Sequence, residues 1–130
     1  MSDRAKAGAV IYAKRVSDMR AFYAGAIGLD VMHAESDHVV LESPAFQLVV
    51  LAIPEPIAAS IELASPPEWR TQTPIKLVFF VENIAAVRAV APGLGGEVNV
   101  VEREWKFRQH TVCDGHDPEG NVFQLREPAV

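Results

Sequence analysis

Gly8-Ala9-Val10-Ile11-Tyr12-Ala13-Lys14-Arg15 and Lys76-Leu77-Val78-Phe79-Phe80-Val81-Glu82-Asn83 are the same signal written twice, 68 residues apart. Each is a short apolar, β-prone run leading into a stretch with helical character. After the first copy, Val16, Met19, Phe22 and Tyr23 recur at helical spacing and predict a helix over 16–26, stopped by Gly28. After the second, the helix is predicted over 84–94 and closes at Gly95-Gly96. Three β-like runs follow each helix. In the first half they span 29–34, 38–42 and 46–53, separated by Glu35-Ser36-Asp37 and Ser43-Pro44 turns. In the second they span 98–104, 107–113 and 122–126, the last introduced by Asp117-Pro118-Glu119-Gly120-Asn121. The second apolar run itself predicts a strand over 75–81.

Between the copies, Pro54, Pro56, Pro66, Pro67 and Pro74 break up regular structure over 54–74, leaving room for one short element over 57–63. The expected architecture is therefore α+β: two tandem βαβββ modules, about 8–53 and 75–127, forming a curved mixed sheet with helices on the convex face, in a single domain over 1–130. The strand period of two puts Ala9, Ile11 and Ala13, like Leu77, Phe79 and Val81, on the face under the helices. Gly8, Val10 and Tyr12, with Lys76, Val78 and Phe80, take the opposite face, and Val122, Gln124 and Arg126 share a face of the last strand.

Composition narrows the function classes. With 49% hydrophobic and 22% charged residues and a net charge of -5, the 130-residue chain is built to fold and is a poor partner for a nucleic-acid backbone. The first eight residues lack the apolar stretch of a secretory signal and no run reaches membrane-spanning length, so a cytoplasmic location and no membrane association are expected. Cys113 is the only cysteine, which excludes an intramolecular disulfide and a thiolate-rich metal site.

Phe22-Tyr23-Ala24-Gly25-Ala26-Ile27-Gly28-Leu29 resembles the first helix ending of the vicinal oxygen chelate superfamily, which comprises glyoxalases, bleomycin-resistance proteins and extradiol dioxygenases. Leu94-Gly95-Gly96-Glu97-Val98 resembles its second helix ending, and Asp117-Pro118-Glu119-Gly120-Asn121-Val122-Phe123-Gln124-Leu125 its final turn and strand. The resemblance spans 8–127 and implies the paired βαβββ fold, usually as a homodimer, with a divalent metal held by His or Glu from the first and last strands of each half. This sequence departs from that ligand set. Gly8 and Lys76 occupy the first-strand positions, Gln124 one last-strand position, and Val49, Val50 or Leu51 the other. Gly and Val offer no donor, an ammonium repels a cation, and an amide oxygen is a weak ligand. The expectation is a protein with neither metal nor other cofactor.

Other residues carry candidate chemistry. His110 and His116, with Glu102 or Glu104, are a conceivable displaced metal set, although their spacing matches no helical zinc pattern; His33 and His38 read as ordinary turn histidines. Lys76, a cation among Ile75, Leu77 and Val78, calls for a bound anion or a path to water along its stem. Tyr12, Phe80 and Trp105 are candidate aromatic walls, with Gln124, Arg126 and Arg103 as polar contacts. Trp69 in the proline-rich segment reads as a lid or dimer contact, and the Asp117 to Asn121 turn as structural.

These residues favour a metal-free binder of a small anionic or aromatic molecule over the open sheet face. Lys76 supplies charge, Tyr12, Phe80 and Trp105 stack, and Gln124 orients the ligand. One rival is a metal-dependent lyase, isomerase or dioxygenase using displaced ligands such as His110, His116 and Glu102. Another is a non-catalytic dimeric interaction module whose concavity is filled by Tyr12, Phe80 and Arg126 packing together.

Overall fold

Residues 6–129 are described by the computed structural model, which divides the chain into two units, Met1–Glu62 and Leu63–Val130. The first carries β1 (Ala7–Ala13), α1 (Val16–Gly25), β2 (Asp30–Glu35), β3 (His38–Ser43), β4 (Phe46–Ala52) and a single helical turn, α2 (Glu55–Ala58). Its sheet runs in the order β1-β4-β3-β2, with β1 parallel to β4 and the other pairs antiparallel. Helix α1 packs on β3 and β4 through Met19, Phe22 and Tyr23, which are buried with Val39, Leu41, Leu48 and Val50. Burying each such side chain is worth about 1.5–3 kcal/mol, so this face holds the unit together. Gly28 takes φ +90°, which lets the Leu29 N–H reach back to the Tyr23 carbonyl at 3.0 Å and end the helix.

The second unit repeats the plan: β5 (Leu77–Phe80), α3 (Ile84–Val90), β6 (Glu97–Val98), β7 (Trp105–Phe107), β8 (His110–His116) and β9 (Val122–Pro128). The sheet order is β5-β9-β8-β6, with β7 also on β8, and β5 again runs parallel to β9. Helix α3 starts at Ile84, 68 residues after Val16 begins α1, and Asn83 caps it by accepting the Ala86 N–H at 2.8 Å. Phe79, Ile84, Val87, Phe123 and Leu125 form its buried face. On the opposite face of each sheet Tyr12 and Phe80 stand 63% and 66% exposed, as the strand alternation requires.

Several boundaries differ from the sequence expectation. The helix predicted over 84–94 stays α-helical only to Val90 and tightens to a 3₁₀ turn over Ala91–Leu94, because Pro92 has no N–H for the Arg88 carbonyl. The strand predicted over 98–104 is broken: β6 holds two residues, a 3₁₀ turn spans Val101–Arg103, and β7 resumes the edge. Val100 and Val101 spoil the alternation there, and both are exposed. Strand β8 starts later than expected and runs on to His116, β5 covers only Leu77–Phe80, and 57–63 contributes only the end of α2. Among the described residues no helix is long and apolar enough to cross a membrane.

The Asp117 to Asn121 turn is built on a buried carboxylate. Asp117 Oδ1 accepts the backbone N–H groups of Glu119 and Asn121 at 2.9 and 3.1 Å, and Oδ2 accepts the Asn121 amide at 2.9 Å. The carbonyl of Gly120, at φ +88°, accepts the Arg70 backbone N–H at 2.9 Å, so the turn anchors the segment preceding β5. A Cβ on Gly120 would fall on the Glu68 carbonyl, whereas one on Gly93 would meet nothing within 4 Å. Gly120→Ala is therefore expected to cost about 2–3 kcal/mol and Gly93→Ala less than about 0.5 kcal/mol, read from chemical denaturation midpoints; equal costs would contradict this account of the turn.

Candidate functional site

The break in the edge strand makes room for a pocket in the second unit. Strand β8 is paired by β6 at its Gly115 and His116 end and by β7 at its His110 end, and between them the chain leaves the ladder. Asn99 and Arg103 from that excursion face Lys76, just before β5, Asp114 of β8 and Val122 of β9 around a cavity of about 420 Å³. Glu97 and the segment Trp69, Arg70, Thr71 and Thr73 complete the lining. The volume falls within the ordinary range for small-ligand sites, but the walls are far more polar than usual.

Its electrostatics are specific. Lys76 Nζ donates to Asp114 Oδ2 at 2.9 Å, which answers the cost of the lysine without a bound anion. Asp114 Oδ1 is buried and, among the described residues, meets no donor. An acceptor left in that state costs about 1–3 kcal/mol, more when charged, unless something supplies a hydrogen. Arg70 is anchored through Nε to the Glu119 carbonyl at 2.9 Å, and its terminal nitrogens have no partner among the described residues. Nor has the Arg103 side chain. Three cations therefore face two carboxylates, Glu97 and Asp114, one of which is already committed to Lys76. Trp69 forms the aromatic edge, lying 4.7 Å from the ring of buried His116, whose Nδ1 is 2.8 Å from the Asp117 carbonyl.

Of the residues singled out from sequence, Lys76, Arg103 and Trp69 line the pocket. Gln124 lies opposite Asp114 on the neighbouring strand, but its Oε1 accepts from Arg126 Nε at 2.7 Å. Arg126 sits with its guanidinium 4.9 Å from the Phe107 ring and 5.8 Å from the Phe80 ring, and Phe80 meets His110 edge-on at 5.3 Å. Phe80 and Arg126 thus belong to a separate cation-aromatic cluster, and Trp105, opposite Val112 on β7, is not part of the pocket lining. Tyr12 stands on the open face of the first unit's sheet. Arg70, Thr71 and Thr73 are the lining residues least visible in the sequence. They sit in a proline-broken stretch, and contacts with the distant Asp117 to Asn121 turn, through Arg70 to Glu119, Gly120 and Asn121, fix their place.

The superfamily's metal positions do not fit a metal here. Gly8 has no side chain, and a Cβ there would sit 2.9 Å from the Gln47 carbonyl oxygen; Lys76 is an ion-paired ammonium and Gln124 is engaged by Arg126. The displaced set is not assembled either. His110 and His116 occupy opposite ends of β8, on the order of 20 Å apart along the strand.

Comparison with known proteins agrees with this architecture. The glyoxalase-like domain family matches residues 8–126. The chain belongs to that family. Its two-module fold is that of the vicinal oxygen chelate superfamily. A glyoxalase-related enzyme from Fulvimarina pelagi superposes with a TM-score of 0.67 at 11% identity, covering 97% of this chain and 88% of that one. A glyoxalase/bleomycin resistance protein/dioxygenase family enzyme from Burkholderia phytofirmans PsJN gives 0.66 at 17% identity over 93% and 96%. A glyoxalase/bleomycin resistance protein from Albidiferax ferrireducens T118 gives 0.63 at 18% identity over 94% and 96%. No curated protein matches the sequence.

Cys113 lies beneath this sheet, fully buried, with Sγ 3.4 Å from the Asn99 carbonyl and 3.7 Å from Arg88 Nη2. Burial pushes its thiol above the usual value near 9.0, outweighing the opposing pull of Arg88. The thiol therefore stays protonated at neutral pH and is no nucleophile. It is expected to resist a thiol-reactive disulfide reagent in the native protein and to react fully after unfolding in guanidinium; stoichiometric labelling of the native chain would contradict this.

Proposed function

We propose that the pocket of the second unit binds a small polar anion that also carries a hydroxyl or amino group, with no metal taking part. The observation that carries this reading is the pairing of opposite demands in one cavity. Arg70 presents its terminal nitrogens and Arg103 its guanidinium without a partner among the described residues, while Asp114 holds a buried oxygen that lacks a donor among them. A carboxylate or phosphate on the ligand satisfies the first, since guanidinium binds such groups with charge-assisted hydrogen bonds. A hydroxyl or amine satisfies the second. The lining has one aromatic residue, Trp69, so stacking supports the ligand on one side only. This favours the anionic form of the expected ligand over the aromatic one. Small-molecule handling also accords with the glyoxalase and bleomycin-resistance descriptions carried by the structural neighbours.

Calorimetric titration with hydroxy acids, amino acids, phosphate esters, aromatic acids and glycopeptides tests the reading. Hydroxylated or aminated anions should bind best. Arg103→Ala should weaken them by about tenfold or more, the equivalent of one lost charge-assisted bond. Asp114→Asn should weaken ligands bearing a donor more than those without one. Absence of binding across the panel, or affinities indifferent to Arg103→Ala, would overturn the proposal.

A further inference from the structure

The tip of the hairpin formed by β2 and β3 gathers three groups with metal-binding chemistry. The two strands are joined by Ser36 and Asp37 alone, so Glu35 pairs directly with His38 and their side chains share a face. His33 lies two residues before Glu35, beyond the irregularity between Val31 and His33, and so returns to that same face. That face is opposite the one carrying Val39 and Leu41, which are buried beneath α1. The local backbone therefore delivers His33, Glu35 and His38 together without any long-range contact.

We infer that His33, Glu35 and His38 form a binding site for a divalent transition-metal ion of the zinc class. One ligand atom from each residue lies within 4.8 Å of the others, and His33 Nε2 is already 2.8 Å from Glu35 Oε2. The imidazole rings are 5.5 Å apart between centroids. Metal-ligand bonds of about 2.0–2.2 Å require donors roughly 3.3 Å apart around a tetrahedral ion, so closure takes about 1.5 Å of side-chain travel. Such travel is open to His33 and Glu35, whose side chains are more than half exposed. His38 is held by Asp37, whose Oδ1 is 2.8 Å from Nδ1. A carboxylate holding one ring nitrogen fixes the imidazole and leaves the other nitrogen as a donor, which is how ligating histidines are ordinarily supported. Two imidazoles and one carboxylate suit zinc, nickel or copper and disfavour magnesium and calcium. Three protein ligands leave at least one position for water. The sequence alone reads these histidines as turn residues; their register across the hairpin gives them a common centre. The site lies in the first unit and does not depend on the pocket assigned to the second.

Titration of the purified full chain with Zn²⁺ at neutral pH, followed by calorimetry and by imidazole resonances, tests the site. The expected result is one equivalent per chain, with shifts of His33 and His38 and none of His110 or His116. His33→Ala and His38→Ala should each weaken binding by about tenfold or more, their combination should abolish it, and Mg²⁺ should give no step. These positions are surface positions, and a circular dichroism spectrum identical to the parent's keeps the comparison fair. A step of unchanged affinity in the double variant, or no step in the parent up to about 1 mM Zn²⁺, overturns the inference.

Discussion

The parallel pairing of the first strand of each unit with its last is the constraint from which the other features follow. Strands β1 and β4, like β5 and β9, run side by side in the same direction, and a parallel neighbour cannot be reached by a tight turn. The chain must leave the sheet and return. It does so through a helix that covers one face, followed by antiparallel strands that extend the sheet away from the first. One face of each sheet is thereby buried under α1 or α3, and the other is left open for Tyr12, Val10, Phe80 and the groups around Lys76. A left-handed glycine after each helical segment, Gly28 and Gly95, turns the chain back at equivalent places.

The two units differ in their edge strands. In the first, the edge strand β2 pairs with β3 along most of its length and ends in a two-residue turn. In the second, the corresponding edge is divided between β6 and β7, and the residues between them leave the ladder. That excursion brings Arg103 and Asn99 into the lining of a cavity that Asp114 also lines. The Asn99 N–H still bonds to the Asp114 carbonyl at 2.9 Å, so the backbone is satisfied there while the side chains are set free.

Polar pairing decides which open-face residues remain available. Gln124 Oε1 accepts from Arg126 Nε, and the Arg126 guanidinium also lies over the Phe80 and Phe107 rings, so these side chains are engaged within the sheet. Lys76 is likewise paired, but its partner Asp114 keeps a second oxygen without a donor. Arg103 and the outer nitrogens of Arg70 are uncommitted among the described residues. The polar groups left available in the second unit are thus the few its internal hydrogen bonding has not consumed, rather than every charged residue facing the open side.

The repeat, the order of elements, the helix stops at Gly28 and Gly95 and the Asp117 turn were legible in the sequence because each depends on local chemistry. Strand alternation, helical spacing, left-handed glycine and Asx hydrogen bonding all act within a few residues. The absence of ligands at Gly8 and Lys76 was equally visible, since it follows from side-chain chemistry alone. What only the tertiary structure decided was partnership. Asp114 was invisible as a pocket residue because its pairing is with Lys76, 38 residues away, and Arg70 because its place depends on Asn121. The placement of His110 and His116 has the same origin, whereas the convergence of His33, Glu35 and His38 follows from the two-residue turn of a single hairpin. Strand register sets which side chains share a face and a distance, and register is fixed by the packing of the whole sheet rather than by any one segment.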